Sequence, residues 1–270
     1  MIQYPVAKIN LGLNITEKRA DGYHNLETVF YPINIQDSLS ISVHKETHLF
    51  ITGNAIDCNE QDNIVVKAYN LMAQDFELPP LAIRLHKQIP SGAGMGGGSS
   101  DAAAMINLLN RRFGLRLTSV ARQRYASALG ADCAFFIESK PAFATGIGNI
   151  LQPVSFSLAG FTIVIIKPAV SINTAQAYSH ITPRKSEYSP LQIVQRPLYE
   201  WKDKLVNDFE EFAFEQYPIL ADIKQRLYDA GAVYASMTGS GSAIYGIFNK
   251  KNVNIQEQFP GLYYKERELF

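Results

Sequence analysis

Between Pro90 and Ala104 the chain reads Pro-Ser-Gly-Ala-Gly-Met-Gly-Gly-Gly-Ser-Ser-Asp-Ala-Ala-Ala, and five glycines fall within seven of those residues. Leu81 to Leu85 alternates as a strand just before it. Met105, Leu108, Leu109 and Phe113 carry helical spacing after it, up to Gly114 as the residue past the helix end. A strand, a glycine loop and a helix therefore follow one another. Ser99, Ser100 and Asp101 suit a helix cap or first turn. Bare amides at a helix N-terminus, with the positive end of the helix dipole behind them, form an anion site that fits phosphate. The expected phosphate cradle is Pro90, Ser91, Gly92, Ala93, Gly94, Met95, Gly96, Gly97, Gly98, Ser99 and Ser100.

Two familiar glycine motifs do not fit. The Walker A loop ends in Gly-Lys-Ser/Thr, whereas Gly98 here runs straight into Ser99. The dinucleotide fingerprint can be laid on Gly92, Gly94 and Gly97, but it belongs on the first strand of a βαβ unit with an acidic residue about 20 positions on. Residues 105–125 hold no Asp or Glu. A flexible linker is disfavoured by the clean strand and helix on either side.

Charge narrows the partners. With 25 basic and 25 acidic residues the net charge is zero, which argues against nucleic acid or a membrane surface as the main partner. Met1-Ile2-Gln3-Tyr4-Pro5 has neither the basic region nor the apolar run of a secretory signal, and no segment reaches the length of a membrane span. Cys58 and Cys133 form no metal or redox spacing and suit a reducing compartment, so a cytoplasmic protein is expected.

Along the chain, Val6 to Ile15 alternates as a strand that puts Lys8 and Asn10 on one face, away from Ile9, Leu11, Leu13 and Ile15. Asp21-Gly22 marks a turn, with Tyr23-His24 just beyond it. Further strands are expected at Leu26–Pro32, Leu39–Val43 and Leu49–Thr52, so the chain opens as a β-rich meander. Asp62 or Asn63 caps a helix to about Gln74, and Thr118 opens another that ends at Gly130. Asp132 follows immediately. Ala142 to Leu151 suggests a hairpin, and the apolar run Phe161 to Ile166 a buried strand. Residues 182–200 are poorly periodic and expected to be irregular or mobile. Helices at Asn207–Phe214 and Ile219–Ala230 precede strands at Val233–Met237 and Ala243–Phe248, which flank Thr238-Gly239-Ser240-Gly241-Ser242. Pro153 to Leu158 is the expected boundary between a domain over 1–153 and a second over 154–270.

Three segments form a set by order and spacing: Pro5-Val6-Ala7-Lys8-Ile9-Asn10-Leu11, the central glycine-serine loop, and Met237-Thr238-Gly239-Ser240-Gly241. Together they resemble the GHMP kinase superfamily. Arg19-Ala20-Asp21-Gly22-Tyr23-His24, Asp62-Asn63 and Gly130-Ala131-Asp132 bring the likeness closer to its members that act on a cytidine diphosphate carrying a methylerythritol, in the non-mevalonate route to isoprenoids. The likeness covers nearly the whole chain. It departs at Met95, where leucine is usual, at Asp101, where asparagine is common, and at Cys133-Ala134, where Val-Pro is usual. A carboxylate at 101 suits the helix dipole but is expected to repel a nearby phosphate.

The resemblance implies an α+β fold of two-layer α/β type, with two domains and the active site in the cleft between them. It implies ATP as co-substrate with Mg²⁺, whose ligands the sequence does not assign. It makes Lys8 and Asp132 the catalytic pair, with Asp132 as general base. It puts Asn63 and Lys87 at the adenine; by themselves they suggest a helix cap and a solvated charge. It gives Tyr23, His24 and Tyr178 to the cytosine, stacked by aromatic faces with His24 able to hydrogen-bond its edge, and Asn10 and Thr174 to the methylerythritol. Gly239, Ser240 and Gly241 would meet the substrate diphosphate; a tight turn between strands is a compatible reading. By residue type alone Lys8 also suits a solvent-facing strand position and Asp132 a turn. Other members, acting on homoserine, a mevalonate or a sugar, and an inactive member serving as a binding module, are the alternatives. Tyr23-His24 disfavours a small aliphatic acceptor, and Lys8 with Asp132 disfavours an inactive protein. The sequence leaves monomer or homodimer open.

Overall fold

The computed structural model describes residues 1–55 and 58–269. They form two compact units, each gathered from several stretches.

The first unit takes Met1–Ala7, Ile35–Ser91 and Gly96–Lys140. Its sheet has the order β1 (Ile2–Gln3), β4 (Ser38–Val43), β6 (Leu81–Lys87), β5 (His48–Gly53). β4 and β6 run antiparallel and align Leu39 with Leu85 and Ile41 with Ile83, so one face of the pair is continuously apolar. β5 and β6 run parallel. A parallel pair needs a crossover, and α1 (Ile64–Ala73) is that crossover. The Asn63 side chain caps α1 by accepting from the Val65 amide at 3.0 Å. α2 (Gly97–Arg112) is sheathed in small and aliphatic residues, with every side chain from Ser100 to Leu109 buried. α3 (Ser119–Leu129) starts on a Thr118 cap and stops at Gly130, as its sequence predicts.

The second unit takes Lys8–Asn34, Gly92–Met95 and 141–269. It contains two sheets. One has the order β2 (Val6–Lys18), β3 (His24–Gln36), β7 (Ala142–Thr145), β8 (Ile150–Pro153), with the first two residues of β2 and the last two of β3 counted in the first unit. The other is the antiparallel sheet β10 (Tyr234–Met237), β11 (Ile244–Phe248), β9 (Thr162–Lys167), β12 (Tyr263–Glu268). α4 (Thr174–Ser179), α5 (Pro190–Ile193), α6 (Phe209–Gln216) and α7 (Ile219–Asp229) complete it. Leu13, Ile15, Val164, Ile166, Phe209, Ile223 and Ile244 share one core.

The residues expected to be irregular, 182–200, hold only α5 and one short helical turn. They are tied down nonetheless. Arg184 N donates to Ile15 O at 3.0 Å, Asn14 Nδ2 donates to Tyr188 O at 3.1 Å, and Ile193 and Val194 are buried.

Candidate active site

Burial of β2 is the starting point. Its alternation holds, yet Lys8 is 3% and Asn10 2% exposed, so the polar face is enclosed rather than solvated. This corrects the solvent-facing reading of Lys8. A buried ammonium requires partners. Lys8 Nζ donates to Asn10 Oδ1 at 2.5 Å and to Gly94 O at 3.0 Å, and lies 5.0 Å from the centre of the Phe30 ring. Asn10 is held in turn, its Nδ2 donating to Thr28 Oγ1 at 3.0 Å and its backbone N to Thr238 Oγ1 at 3.1 Å. Thr238 Oγ1 also donates to Gly94 O at 3.1 Å. The start, middle and end motifs, 230 residues apart at the extremes, are thus brought within hydrogen-bond reach of one another inside the second unit.

Gly94 is the tightest point of this junction. Its φ is +71°, and a Cβ there would stand 1.9 Å from Thr238 O. Gly92 O and Ala93 O accept from Ser242 N and Ala243 N at 3.2 and 3.3 Å, and Lys8 N donates to Met95 O at 3.0 Å. The glycine-serine turn before β11 is fastened from below as well. Asn207 Nδ2 donates to Met237 O at 2.8 Å and Gly239 O at 2.9 Å, while Glu210 accepts from Met237 N at 2.7 Å. Thr174 Oγ1 and Ser240 Oγ are 2.9 Å apart.

His24 and Tyr178 do meet, but they stack on each other, with ring centres 5.0 Å apart and planes 18° off parallel. A third ring between them would need about 7 Å, twice the van der Waals contact distance. Tyr23 is 62% exposed, and its ring stands apart as the open aromatic face. Burial, with Lys18 nearby, holds His24 below the ordinary histidine value, so it is neutral at pH 7.

In the first unit the helix begins earlier than Ser99. Gly96 is the cap, in the left-handed region at φ +70°, and α2 starts at Gly97. The first intrahelical bond there is Ser100 N to Gly96 O at 2.9 Å, so the amides of Gly97, Gly98 and Ser99 precede it. Lys87 is not a solvated charge. It is 4% exposed, pairs with Asp37, and donates to Asp101 Oδ2 at 2.6 Å. Its Nζ lies 3.3 Å from where a Cβ on Gly97 would be. Asp37 Oδ1 also accepts from Gln88 N and Ile89 N at 2.5 and 2.8 Å. Asp132 sits half-buried just past α3. Burial pushes the neighbouring Cys133 thiol up to about 11; the Ser99 hydroxyl pulls it down and the Asp132 charge up. Ser99 and Asp132 therefore both act on one thiol.

Thr28, Asn207, Asp37 and the hydroxyl of Thr238 escape a sequence reading of the site. Thr28 is a lone threonine in an expected strand, and Asn207 a lone asparagine at a helix start. Only the motif around Gly239 gives a signal, for Thr238.

The GHMP kinases N terminal domain family matches residues 63–140, and the GHMP kinases C terminal family matches 193–265. A 4-diphosphocytidyl-2-C-methyl-D-erythritol kinase of Bacteroides fragilis is 50% identical over all of both chains. The chain belongs to the GHMP kinases. A kinase of the same name from Bacteroides thetaiotaomicron is 54% identical over 92% of each chain. The crystal structure of a 4-(cytidine 5'-diphospho)-2C-methyl-D-erythritol kinase, 26% identical, superposes with a TM-score of 0.84 over 98% of each chain. The GHMP kinase family thus accounts for both glycine-rich segments and for the α+β architecture.

Proposed function

We propose that this GHMP kinase transfers the γ-phosphoryl group of ATP to the carbon-2 hydroxyl of 4-diphosphocytidyl-2-C-methyl-D-erythritol. The observation that carries the reading is full-length identity of 50% to a relative of that name. The junction of Lys8, Asn10, Gly94 and Thr238 supports it, because it fixes an ammonium and an amide beside a glycine loop.

In the mechanism, the amides that open α2 and the loop before it hold the ATP phosphates. Mg²⁺, when bound, neutralises charge on the transferring phosphoryl oxygens. Among the described residues no group of three or more His, Cys, Asp or Glu side chains could hold a metal ion. Asp132 accepts the proton of the carbon-2 hydroxyl as its oxygen bonds to phosphorus. Lys8 stabilises charge on the oxygens in transfer. Because the acceptor is a crowded tertiary alcohol, orientation contributes more than basicity. Asn10, locked by Thr28 and Thr238, orients the methylerythritol, with Thr174 beside Ser240. Gly239, Ser240 and Gly241 offer backbone to the diphosphate of the substrate. Tyr23 stacks on cytosine, and neutral His24, backed by Tyr178, hydrogen-bonds its edge. Asn63 and Lys87 serve the nucleotide by fixing α1 and the start of α2.

The position of the new ester tests the reading. Phosphorus NMR of the product should show a phosphomonoester without three-bond coupling to hydrogen, because carbon 2 bears none. Coupling to a methylene would place the phosphate on a primary hydroxyl and contradict it.

A further inference from the structure

Asp101 is the one acidic residue of α2, and this mechanism leaves it unused. It is 1% exposed in the helix's second turn. Its Oδ2 accepts from Lys87, while its Oδ1 has no hydrogen-bond partner among the described residues. Lys87 is shared with Asp37, so one buried ammonium faces two carboxylates. Among the described residues, the other elements packed on α2 bring no further charge to them. Lys67 of α1 pairs with Asp62 at the surface, Arg122 of α3 engages Asn107, and α1 faces inward with Val65, Val66, Ala68 and Met72. With both carboxylates ionised the cluster carries one net negative charge beneath the turn whose amides open the helix. With one protonated it is neutral.

We propose that Asp101 is a positioning residue for nucleotide binding: through Lys87 it holds the first turn of α2, and its charge sets how strongly that turn attracts phosphate. The proposal rests on the reading of this turn as the ATP cradle. It also accommodates the departure at position 101. A carboxylate that would repel phosphate in the open is tied to an ammonium 2.6 Å away, which itself lies 3.3 Å from the Cβ position of Gly97. Burial pushes the Asp101 carboxyl up to about 7, against the pull of Lys87 and with the help of Asp37. Its proton is then exchanged within the physiological range. Because the folded state holds that proton more tightly than the unfolded chain, Asp101 contributes stability at low pH. That contribution is lost as pH rises from about 4 through about 7.

The test is calorimetric titration of the full chain with ADP, at fixed magnesium, from pH 5.5 to 8.5, for wild type and Asp101→Asn. Ionisation of the ligand is common to both and cancels in the ratio of dissociation constants. That ratio should be near one at pH 5.5, with wild type weaker by about fivefold at pH 8.5, the scale of one partly screened charge at this range. Thermal melts without nucleotide should show wild type losing stability relative to Asp101→Asn over the same rise. Should Asp101→Asn not fold, Asp37→Asn removes a charge from the same cluster and should shift the ADP profile in the same direction. A ratio that stays flat with pH while wild type binds ADP overturns the proposal and leaves the kinase reading standing. A wild type that binds no ADP at any pH overturns both.

Discussion

At the scale of single residues, the proposed site is built from side chains whose neighbours leave them one arrangement. Lys8 is the clearest case. Its ammonium is enclosed, bonded to Asn10 and to the Gly94 carbonyl, and backed by Phe30, so it reaches its position at little entropic cost on binding. The alternating pattern of β2 reveals which face Lys8 is on; it gives no sign that this face is covered, because the cover comes from residues near 94 and 238. Asp132 is legible only through its motif, since a carboxylate after a helix-ending glycine is common in turns. Asp132→Ala should lower kcat by about 10²–10⁴-fold, the usual share of a general base, with the fold intact by circular dichroism. A near-normal rate removes it from that role. Tyr23, with 62% of its surface open, should lose a stacking contribution of about 1–3 kcal/mol on truncation. Steady-state kinetics of Tyr23→Ala should therefore show KM for the cytidyl substrate up by about 5- to 150-fold and KM for ATP little changed. Equal effects on both would move Tyr23 out of the cytosine site.

At the scale of elements, the glycine loop is two devices joined at Gly96. Gly92–Met95 belongs to the second unit, where its carbonyls accept from Lys8, Ser242, Ala243 and Thr238. Gly96 onward belongs to the first, as cap and first turn of α2. Local composition predicts a loop followed by a helix, and both are present. It does not reveal that the helix absorbs Gly97 and Gly98, because glycine propensity argues against a helix there and tertiary packing overrides it. Gly94→Ala combines positive φ with a clash against Thr238 O, and should cost at least about 3 kcal/mol, read as a drop in denaturant midpoint. An unchanged midpoint would contradict the tight junction described for this loop. Cys133 is fully buried with its thiol pushed up to about 11, whereas Cys58 is exposed. A thiol reagent should label one cysteine in the native protein and two after denaturation; two fast labels in the native state would contradict the burial of Cys133 beside Ser99. α4 and β12 were the elements least visible in the sequence. α4 has six residues, too few for a helical period to show, and β12, Tyr-Tyr-Lys-Glu-Arg-Glu, has the charge of a surface helix and becomes a strand by pairing with β9.

At the scale of the whole molecule, the sequence of motifs is more informative than any one of them. The glycine loop alone indicates phosphate at a helix start. With Lys8, Tyr23-His24, Asp132 and the turn at Gly239 it indicates a kinase and the class of its acceptor, and the relatives carry the same name. Which short stretches join which unit, such as Met1–Ala7 and Gly92–Met95, depends on long-range pairing that no local pattern encodes. The buried Asp37–Lys87–Asp101 cluster was equally hidden, since its members are 50 and 14 residues apart and each alone resembles a surface charge. The central claim is that the acceptor is the cytidyl substrate, and coupled measurement of ADP release tests it most directly. With 4-diphosphocytidyl-2-C-methyl-D-erythritol, homoserine and mevalonate offered in parallel, ADP should be released at a sustained rate with the first and at the no-acceptor background with the other two. Turnover on mevalonate or homoserine with none on the cytidyl substrate would contradict the account.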